Sequence, residues 1–172
     1  MLWYRCISSP LGEITLYSDG THLVGLRFRD GTDPERTADA EDRPLAVFDR
    51  TEEWLDLYFS GRIPPFAPPL KIDASPFRTA VYEALLEIPY GQTASYAAIA
   101  RMLVRRGKRA ACSARALGSA LARNPILLIV PCHRVIGSDG SLTGYAAGVE
   151  RKRRLLQIET DPQEFKKIEK CC

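Results

Sequence analysis

The proline-rich stretch GRIPPFAPPL, residues 61–70, is the strongest constraint on how this chain of 172 residues can fold. It holds four prolines within six residues, and proline fixes the backbone φ angle and removes an amide donor. Neither a helix interior nor a central strand can therefore pass through it. We expect an extended connector here, followed by a domain boundary, so that residues 1–73 and 74–172 form two domains.

The part before the connector is rich in strand signals. Three runs, WYRCIS, EITLYSD and HLVGLRF, carry β-branched and aromatic residues, and turn-forming residues separate them. This spacing is typical of an antiparallel meander. The run PLAVFDRTEEWLDLYFSG follows, and its apolar residues repeat at approximately helical intervals up to Gly61. We expect a small antiparallel sheet with one helix.

The part after the connector is mostly helical by the same criteria. One helix begins at Ser75 and Pro76, a typical cap and first-turn pair, and ends at PYG. Three more helices are predicted in TASYAAIARMLVRRG, SARALGSALARNP and GVERKRRLLQIE. The run ILLIV indicates a short strand or a buried extended segment, and GSDGSLTGY indicates a loop. The predicted fold class is α+β.

Charge is distributed unevenly between the two parts. Residues 1–73 hold 8 Lys and Arg against 13 Asp and Glu, whereas residues 74–172 hold 16 against 8. A basic second part indicates a polyanionic partner, although a solvated charged surface explains the count equally well. Two of its helices are joined by a basic turn, which favours a helix-turn-helix. Small residues on the second helix would let DNA approach closely, but a tightly packed buried helix would carry them too.

Composition argues against several classes of protein. No run of 18 apolar residues predicts a membrane span, and the first residues lack the pattern of a signal peptide. The cysteines are odd in number and follow no disulfide or metal-ligand spacing, and only two histidines are present. We therefore expect a cytoplasmic protein, or a nuclear one in a eukaryote, with reduced thiols, no metal and no membrane partner. The cysteines are Cys6, Cys112, Cys132, Cys171 and Cys172.

The segment IVPCHRVIG, residues 129–137, concentrates reactive side chains between apolar neighbours. A cysteine acts as a nucleophile in its thiolate form, and an adjacent base such as His133 would promote that form. Neighbours in a strand point to opposite faces, whereas a turn would bring Cys132 and His133 closer together. From these residues alone, a nucleophile and an inert buried thiol are equally well supported.

The segment RNPILLIVPCHRVIGSDGSLTGYAAGVERKRRLL closely resembles the active-site region of the O6-alkylguanine-DNA alkyltransferases. The hallmark of this family is a Pro-Cys-His-Arg sequence with apolar flanks, and VPCHRVI at Val130–Ile136 fits it fully. The motifs YGQTASYAAIA, SARALGSALARNP and SLTGY extend the resemblance over residues 74–160, while the N-terminal residues match more weakly. The resemblance implies an N-terminal domain of the ribonuclease-H-like kind and a C-terminal domain with a helix-turn-helix.

The resemblance implies a role for each of five catalytic residues. Cys132 would accept the alkyl group, and His133 would draw off its proton through a water molecule. Glu159 would orient His133, and Asn124 would bridge the helix-turn-helix to the active-site segment. Tyr96 would help to rotate the target phosphate and would protonate the departing guanine.

The resemblance also implies residues that contact DNA and residues that line the substrate pocket. Arg115 would enter the duplex and fill the space of the extruded base. The other members of the DNA-contacting set are Ser95, Tyr96, Ala114, Gly118 and Ser119. The guanine pocket would be lined by Pro131, Val135, Ser141, Tyr145, Ala146 and Ala147.

The activity that the resemblance implies is the direct reversal of DNA damage. The thiolate would attack the alkyl carbon of O6-alkylguanine, or of O4-alkylthymine, after the base has flipped out of double-stranded DNA. The helix-turn-helix would lie in the minor groove, and the protein would act as a monomer without a cofactor. Because no residue would reverse the resulting thioether, each molecule would act once.

Three other functions fit parts of the sequence. An alkyltransferase-like protein binds DNA lesions without repairing them, but such proteins lack the reactive cysteine that Cys132 supplies. A regulator that uses only the helix-turn-helix would not need His133, Asn124 and Glu159. A cysteine hydrolase would need an oxyanion-type glycine motif near Cys132, which the sequence does not have.

Three features need a separate interpretation. Ala147 stands where the family usually has a second glycine, and its methyl group would narrow the pocket, so we expect slower reaction with benzyl than with methyl adducts. The basic link LVRRGKRAACSAR between the two helices is longer than usual and could either contact phosphates or remain solvated. The run RKRR at Arg151–Arg154 indicates a solvated helix face with some phosphate contact.

Overall fold

A computed structural model describes residues 1–30, 40–107 and 113–170 of the chain. The predicted α+β class is confirmed. The strands are β1 (Leu2–Ser9), β2 (Gly12–Ser18), β3 (Leu23–Phe28), β4 (Ala40–Asp42), β5 (Ala94–Ser95) and β6 (Val135–Ile136). The helices are α1 (Ala46–Phe59), α2 (Pro76–Leu86), α3 (Tyr96–Arg105), α4 (Ala114–Ala122), α5 (Val149–Thr160) and α6 (Pro162–Lys170), with a 3₁₀ helix at Cys132–Arg134.

The N-terminal sheet has the strand order β3-β2-β1-β4. Strands β1, β2 and β3 pair antiparallel, as the three runs predicted, with Ile7 opposite Ile14 and Leu16 opposite Leu26. Strand β4 adds in parallel to β1 and was not predicted, because three residues are too few to show a period. Helix α1 packs against β2 and β3, and Ile14, Leu16, Leu23 and Leu26 of these strands are fully buried.

Helix α1 confirms the helical period of its sequence. Phe48, Leu55 and Tyr58 recur on one face, and all three are buried. The helix ends at Ser60, and the following Gly61 has a φ of 79°, a conformation that glycine adopts without strain. One face of α1 therefore lies against the core over the whole length of the helix.

The proline-rich stretch forms neither helix nor strand, as predicted, and it is bound to strand β3. The amide of Leu23 donates to the carbonyl of Pro69 at 2.8 Å, and the amide of Lys71 donates to the carbonyl of Leu23 at 3.0 Å. The connector is thus part of the folded structure. The division of the chain into residues 1–73 and 74–172 stays a prediction.

Three serines begin the first three helices of the second part. Ser75 caps α2, Ser95 caps α3 and Ser113 caps α4, and each hydroxyl accepts a backbone amide of the first turn. These starts were predicted at Ser75 and Ser113, and for α3 at Thr93 or Ser95. Helices α3 and α4 form the predicted pair, and residues 108–112 of their link lie outside the described residues.

The run ILLIV, residues 126–130, is buried as predicted, but it is neither a strand nor an extended segment. It forms one isolated bridge with β3, in which the amide of Leu26 donates to Pro125 and the amide of Leu127 donates to Leu26. Leu128 then turns the chain with a φ of 66°, which is rare for a branched side chain. The run is buried, but it bends toward the 3₁₀ helix instead of extending.

Helix α6 was missed, although its start carries a recognisable signal. Asp161 accepts the amide of Glu164 at 3.1 Å, and Pro162 occupies the first helical position. Phe165 is almost fully buried and lies beside Arg154 of α5. The last helix therefore contributes to the core.

Neither a membrane span nor a metal cluster occurs in the part of the chain that the structure describes. No helix there is long and apolar enough to cross a bilayer. No three His, Cys, Asp or Glu side chains in the same ranges are grouped so that they could hold a metal ion.

We expect Phe165→Ala to lower the free energy of unfolding by about 3–5 kcal/mol, because it leaves a cavity under α6. Urea unfolding followed by circular dichroism measures the change. Lys166→Ala on the exposed side of the same helix is the matched control and should change stability by less than about 0.5 kcal/mol. Equal effects of the two substitutions would show that α6 does not pack as described.

Candidate active site

Cys132 lies at the start of the 3₁₀ helix, in the interior of the second part of the chain. Only 4% of its surface is exposed. Its amide donates to the carbonyl of Val130 at 2.9 Å, and the next strand, β6, pairs in parallel with β5 through Val135 and Ala94. The sequence did not decide between a strand and a turn at Cys132 and His133. The structure has a turn, which is held by backbone hydrogen bonds on both sides.

Asn124 links the end of α4 to this turn. Its side-chain amide nitrogen donates to the carbonyl of Val130 at 2.8 Å and lies 3.2 Å from the sulfur of Cys132. Its side-chain oxygen accepts the amide of Ile126 at 3.0 Å. Because Asn124 is 4% exposed, these contacts are protected from water, and they fix the position of the sulfur.

His133 is fully buried and paired with Glu159. Its Nε2 lies 2.7 Å from Oε1 of Glu159. An ionised carboxylate only accepts hydrogen bonds, so Nε2 carries the proton in this pair. Nδ1 has no hydrogen-bond partner among the described residues and is left as the acceptor of the ring. The imidazole is thus oriented as a base would be.

Glu159 receives hydrogen bonds from several segments of the chain. Arg134 donates to both of its oxygens, with the shortest distance 2.9 Å, and the amide of Gly91 donates to Oε2 at 3.0 Å. The hydroxyl of Tyr58 donates to Oε1 at 2.8 Å. Burial alone would raise the pKa of Glu159, but the hydrogen bonds and charges of His133 and Arg134 outweigh it and lower the pKa to about 2. The carboxyl group is therefore ionised at neutral pH.

Burial also sets the protonation states of the thiol and the imidazole. It raises the pKa of Cys132 to about 11, although the Asn124 hydrogen bond and the charge of Lys152 act in the opposite direction. It lowers the pKa of His133, although Glu159 acts in the opposite direction. At neutral pH the thiol keeps its proton and the imidazole is neutral. Attack by this sulfur therefore requires a base that takes the proton during the reaction.

Tyr96 and Ser95 lie beside the strand that carries Val135. Ser95 pairs with Ile136 across the two-stranded sheet and caps α3 through the amide of Ala98. Tyr96 begins α3, and its hydroxyl donates to the carbonyl of Thr143 at 3.3 Å. The structure thus brings Tyr96 to the loop that contains the predicted substrate-lining residues.

The predicted DNA-contacting residues of α4 lie on its outer face. Ala114, Arg115 and Ser119 are exposed, whereas the opposite face is buried. A side chain built at Gly118 would meet no atom within 4 Å. Arg115 makes no ion pair with a described residue. These positions favour the interpretation of α4 as a surface helix that a duplex could approach, rather than a buried one.

The predicted substrate-lining residues differ in their burial. Pro131, Val135, Tyr145 and Ala147 are buried, Ser141 is half-buried and Ala146 is exposed. The ring of Tyr145 meets that of His133 edge to face at 6.5 Å, and its buried hydroxyl has no partner among the described residues. The roles assigned to these and to the catalytic residues stay predictions.

A cleft of about 490 Å³ begins beside Asn124 and Ala147. It runs between the two parts of the chain and is lined by Phe28 of β3, by Leu127 and by three arginines. Asp30 also lines it, but Arg151 is already paired with that carboxylate at 2.7 Å. The cleft therefore borders Asn124, which holds the sulfur, and arginines outnumber acidic residues in its walls.

The interpretation of RKRR as a solvated face is wrong for two of its residues. Lys152 is fully buried, and its ammonium group donates to the carbonyls of Val135 at 2.5 Å and Thr143 at 3.1 Å. Arg151 donates to the carbonyls of Leu11 at 2.9 Å and Ala147 at 3.2 Å. Both side chains hold the loop of residues 137–148, which contains predicted substrate-lining residues. From the sequence alone, basic side chains that bind a loop in this way cannot be distinguished from basic side chains that are solvated.

Sequence reasoning also missed Tyr58 and Arg134. Tyr58 belongs to the apolar face of α1, which is indistinguishable by pattern from any core-facing tyrosine. Arg134 was taken only as part of the family hallmark, whereas its guanidinium holds Glu159 and donates to the carbonyl of Ile88 at 2.7 Å. Because Arg134 directly follows His133, the sequence could have suggested that both side chains bind the same carboxylate.

The long basic link is only partly described. Arg106 forms an ion pair with Glu87, so it is not free for phosphate contact in this conformation. Lys108, Arg109 and Cys112 lie outside the described residues, as do Cys171 and Cys172.

Two family models match the chain and together span most of it. Residues 76–161 match the model described as "6-O-methylguanine DNA methyltransferase, DNA binding domain". Residues 2–72 match the model described as "6-O-methylguanine DNA methyltransferase, ribonuclease-like domain".

Curated proteins from distant organisms are similar over nearly the whole chain. The methylated-DNA–protein-cysteine methyltransferase of Mycobacterium tuberculosis is 43% identical over 160 residues, which are 92% of this chain and 93% of that protein. The protein of the same name from Haemophilus influenzae is 36% identical over 94% of this chain and 88% of its own length.

Solved structures are also similar to this chain over most of its length. Mycobacterium tuberculosis OGT in complex with DNA has a TM-score of 0.79 and 40% identity, with 92% of each chain covered. A further crystal structure, of the O6-methylguanine methyltransferase of the same organism, has a TM-score of 0.79 and 41% identity, with 93% of each chain covered.

We expect Glu159→Gln to lower the free energy of unfolding by about 3–5 kcal/mol at pH 7, because it leaves the buried Arg134 charge unpaired. Urea unfolding measures the loss, and Glu164→Gln on the exposed side of α6 is the control. The folded-state pKa of Glu159 is depressed, so its contribution is present above the ordinary carboxyl pKa and is lost as the pH falls toward about 2. The difference from wild type should therefore shrink below pH 5, and a difference that grows with acidity would contradict this assignment.

Proposed function

Because the chain belongs to the 6-O-methylguanine DNA methyltransferase family, which repairs DNA by alkyl transfer, we propose that Cys132 accepts the alkyl group of O6-alkylguanine in double-stranded DNA. One observation carries this proposal above the others. A buried thiol is held by Asn124 within the same turn as an imidazole whose Nε2 is fixed by Glu159. A regulator or a passive binder has no need of this arrangement.

The transfer is a displacement at a saturated carbon. As the sulfur of Cys132 attacks, the thiol proton passes through a water molecule to Nδ1 of His133, and Glu159 stabilises the imidazolium that forms. The new sulfur–carbon bond replaces the bond between that carbon and O6 of guanine. The departing guanine takes a proton from the hydroxyl of Tyr96, which lies at the substrate loop.

Burial of Cys132 supports extrusion of the target base. The sulfur of a cysteine that is only 4% exposed cannot reach a base inside a duplex, so the nucleotide must leave the stack, at a cost of a few kcal/mol. Arg115, exposed on α4, would enter the gap and offset part of that cost. The small outer residues of α4 suit close approach in the minor groove, where little sequence information is read.

The product is a thioether on the protein. Breaking it would need a strong nucleophile at the same carbon, and Cys132 is itself the nucleophile of the site. We therefore propose that each molecule reacts once, as a monomer and without a cofactor. O4-alkylthymine offers the same alkyl–oxygen bond on a smaller base and is proposed as a second substrate.

The alternative is an alkyltransferase-like protein that binds lesions without removing them. Such a protein needs the basic helix pair and the pocket, but it needs neither a thiol nor a base. The presence of both Cys132 and the His133–Glu159 pair favours transfer.

We expect the protein to take one methyl group from a duplex oligonucleotide that carries O6-methylguanine and to hold it on Cys132. Mass spectrometry of the digested protein locates the methyl group, and chromatography of the digested DNA measures restored guanine. Cys132→Ala should abolish the transfer, whereas Cys6→Ala, which changes an exposed thiol, should leave it intact. Restored guanine with an unmodified Cys132 would refute the mechanism, and binding without restoration would favour the alternative.

We expect wild type to react at least about tenfold more slowly with O6-benzylguanine than with O6-methylguanine in the same duplex, because the Ala147 methyl narrows the rim. Ala147→Gly should recover most of the benzyl rate and leave the methyl rate within about twofold. Single-turnover kinetics with saturating protein measures both rates. Equal wild-type rates on the two adducts would show that Ala147 does not limit the size of the alkyl group that reacts.

A further inference from the structure

Tyr58 connects the first part of the chain to the catalytic pair of the second. It lies on α1, is fully buried, and is 101 positions away from the carboxylate to which it donates. Its hydroxyl is 2.8 Å from Oε1 of Glu159 and 3.3 Å from Nε2 of His133. The three polar groups therefore form a closed triangle with no exposed member.

Aromatic packing fixes the position of the Tyr58 ring and of its hydroxyl oxygen. The ring stacks on Trp54 with a centroid separation of 5.2 Å and an angle of 9°. Phe59, Tyr90 and His133 meet the same ring edge to face, at 5.5, 5.8 and 6.4 Å. A ring held on four sides keeps its hydroxyl oxygen within hydrogen-bond distance of Glu159, so the contact is preorganised.

The oxygen that Tyr58 contacts is the one that His133 uses. Arg134 and Gly91 satisfy Oε2, whereas Oε1 faces His133, Tyr58 and the rest of the Arg134 guanidinium. A second donor at Oε1 has two consequences. It prevents the carboxylate from rotating away from Nε2, and it makes Oε1 a poorer acceptor of the imidazole proton, so that the proton stays on the ring.

We propose that Tyr58 is a positioning residue of the active site, through which the N-terminal part of the chain holds the Glu159 carboxylate against His133. The proposal rests on the proposed function for the part that His133 plays as a base. Helix α1 would then contribute to the reaction in addition to packing against its own sheet.

The test uses the small number of histidines in the protein. The chain has two, His22 and His133, so the nitrogen spectrum of imidazoles labelled with ¹⁵N contains two sets of signals, which His22→Gln assigns. Tyr58→Phe removes one oxygen and preserves the ring. Thr51→Val is the matched control, because it removes a buried hydroxyl of the same helix whose one bond among the described residues goes to the carbonyl of Val47, at 2.7 Å.

We expect Tyr58→Phe to shift the Nε2 signal of His133 in the free protein, and Thr51→Val to leave it unchanged. The methyl-transfer rate at saturating DNA should fall about tenfold in Tyr58→Phe and not in Thr51→Val, because one hydrogen bond to a charged group is lost. Affinity for DNA should remain the same in both variants. A merely structural role would lower the stability of both and change neither the His133 signal nor the saturating rate.

An unchanged His133 signal together with an unchanged rate in Tyr58→Phe would overturn the inference and leave the proposed function intact. A wild-type protein that transfers no methyl group would overturn the proposed function, while the nitrogen spectrum would still decide the contact between Tyr58 and His133. Should Tyr58→Phe not fold, the wild-type spectrum decides. A slowly exchanging Tyr58 hydroxyl proton must then show a cross-peak to the Nε2 proton of His133, and its absence would overturn the inference.

Discussion

The carboxylate of Glu159 is the interaction on which the rest of the site depends. It is a buried negative charge, and such a charge is tolerated only when every lone pair is engaged. The groups that engage it come from three segments: α1, the turn after α2, and the 3₁₀ helix, which supplies both the His133 imidazole and the Arg134 guanidinium. Each of these segments bonds to the same anion, so neutralising this charge constrains the geometry around Cys132 together with the hydrogen bonds of Asn124.

The loop of residues 137–148, which contains predicted substrate-lining residues, is held by a second set of polar contacts, in this case from cations to carbonyl groups. Lys152 spans the strand after the cysteine turn and the middle of the loop, and Arg151 joins the end of the loop to the β1–β2 turn. Both residues project from α5, the helix that also carries Glu159. One helix therefore contacts the His133 imidazole through Glu159 and the loop of residues 137–148 through Arg151 and Lys152.

Local sequence signals predicted the elements whose physical cause is itself local. The serine caps, the glycine after α1 and the proline-rich connector all act within a few residues, and all lie where they were expected. Strand β4 and the bend at Leu128 could not be predicted, because they depend on pairing with distant segments. Cys132, His133 and Asn124 were found through a family resemblance. Tyr58 and Lys152 were not, because burial of a tyrosine or a lysine is decided by the tertiary fold and leaves no mark in the pattern of nearby residues.

The contacts made by strand β3 have a consequence for the chain before it is fully folded. Strand β3 is at the edge of its sheet, and edge strands offer unpaired backbone groups to any neighbouring chain. Here Pro69 and Lys71 on one stretch, and Pro125 and Leu127 on another, occupy those groups. Until residues well beyond the connector have been synthesised and have docked, the part of this edge at Leu26 is open. The N-terminal sheet thus relies on the later half of the chain for protection against intermolecular strand pairing, and aggregation during synthesis is the hazard that this closure removes.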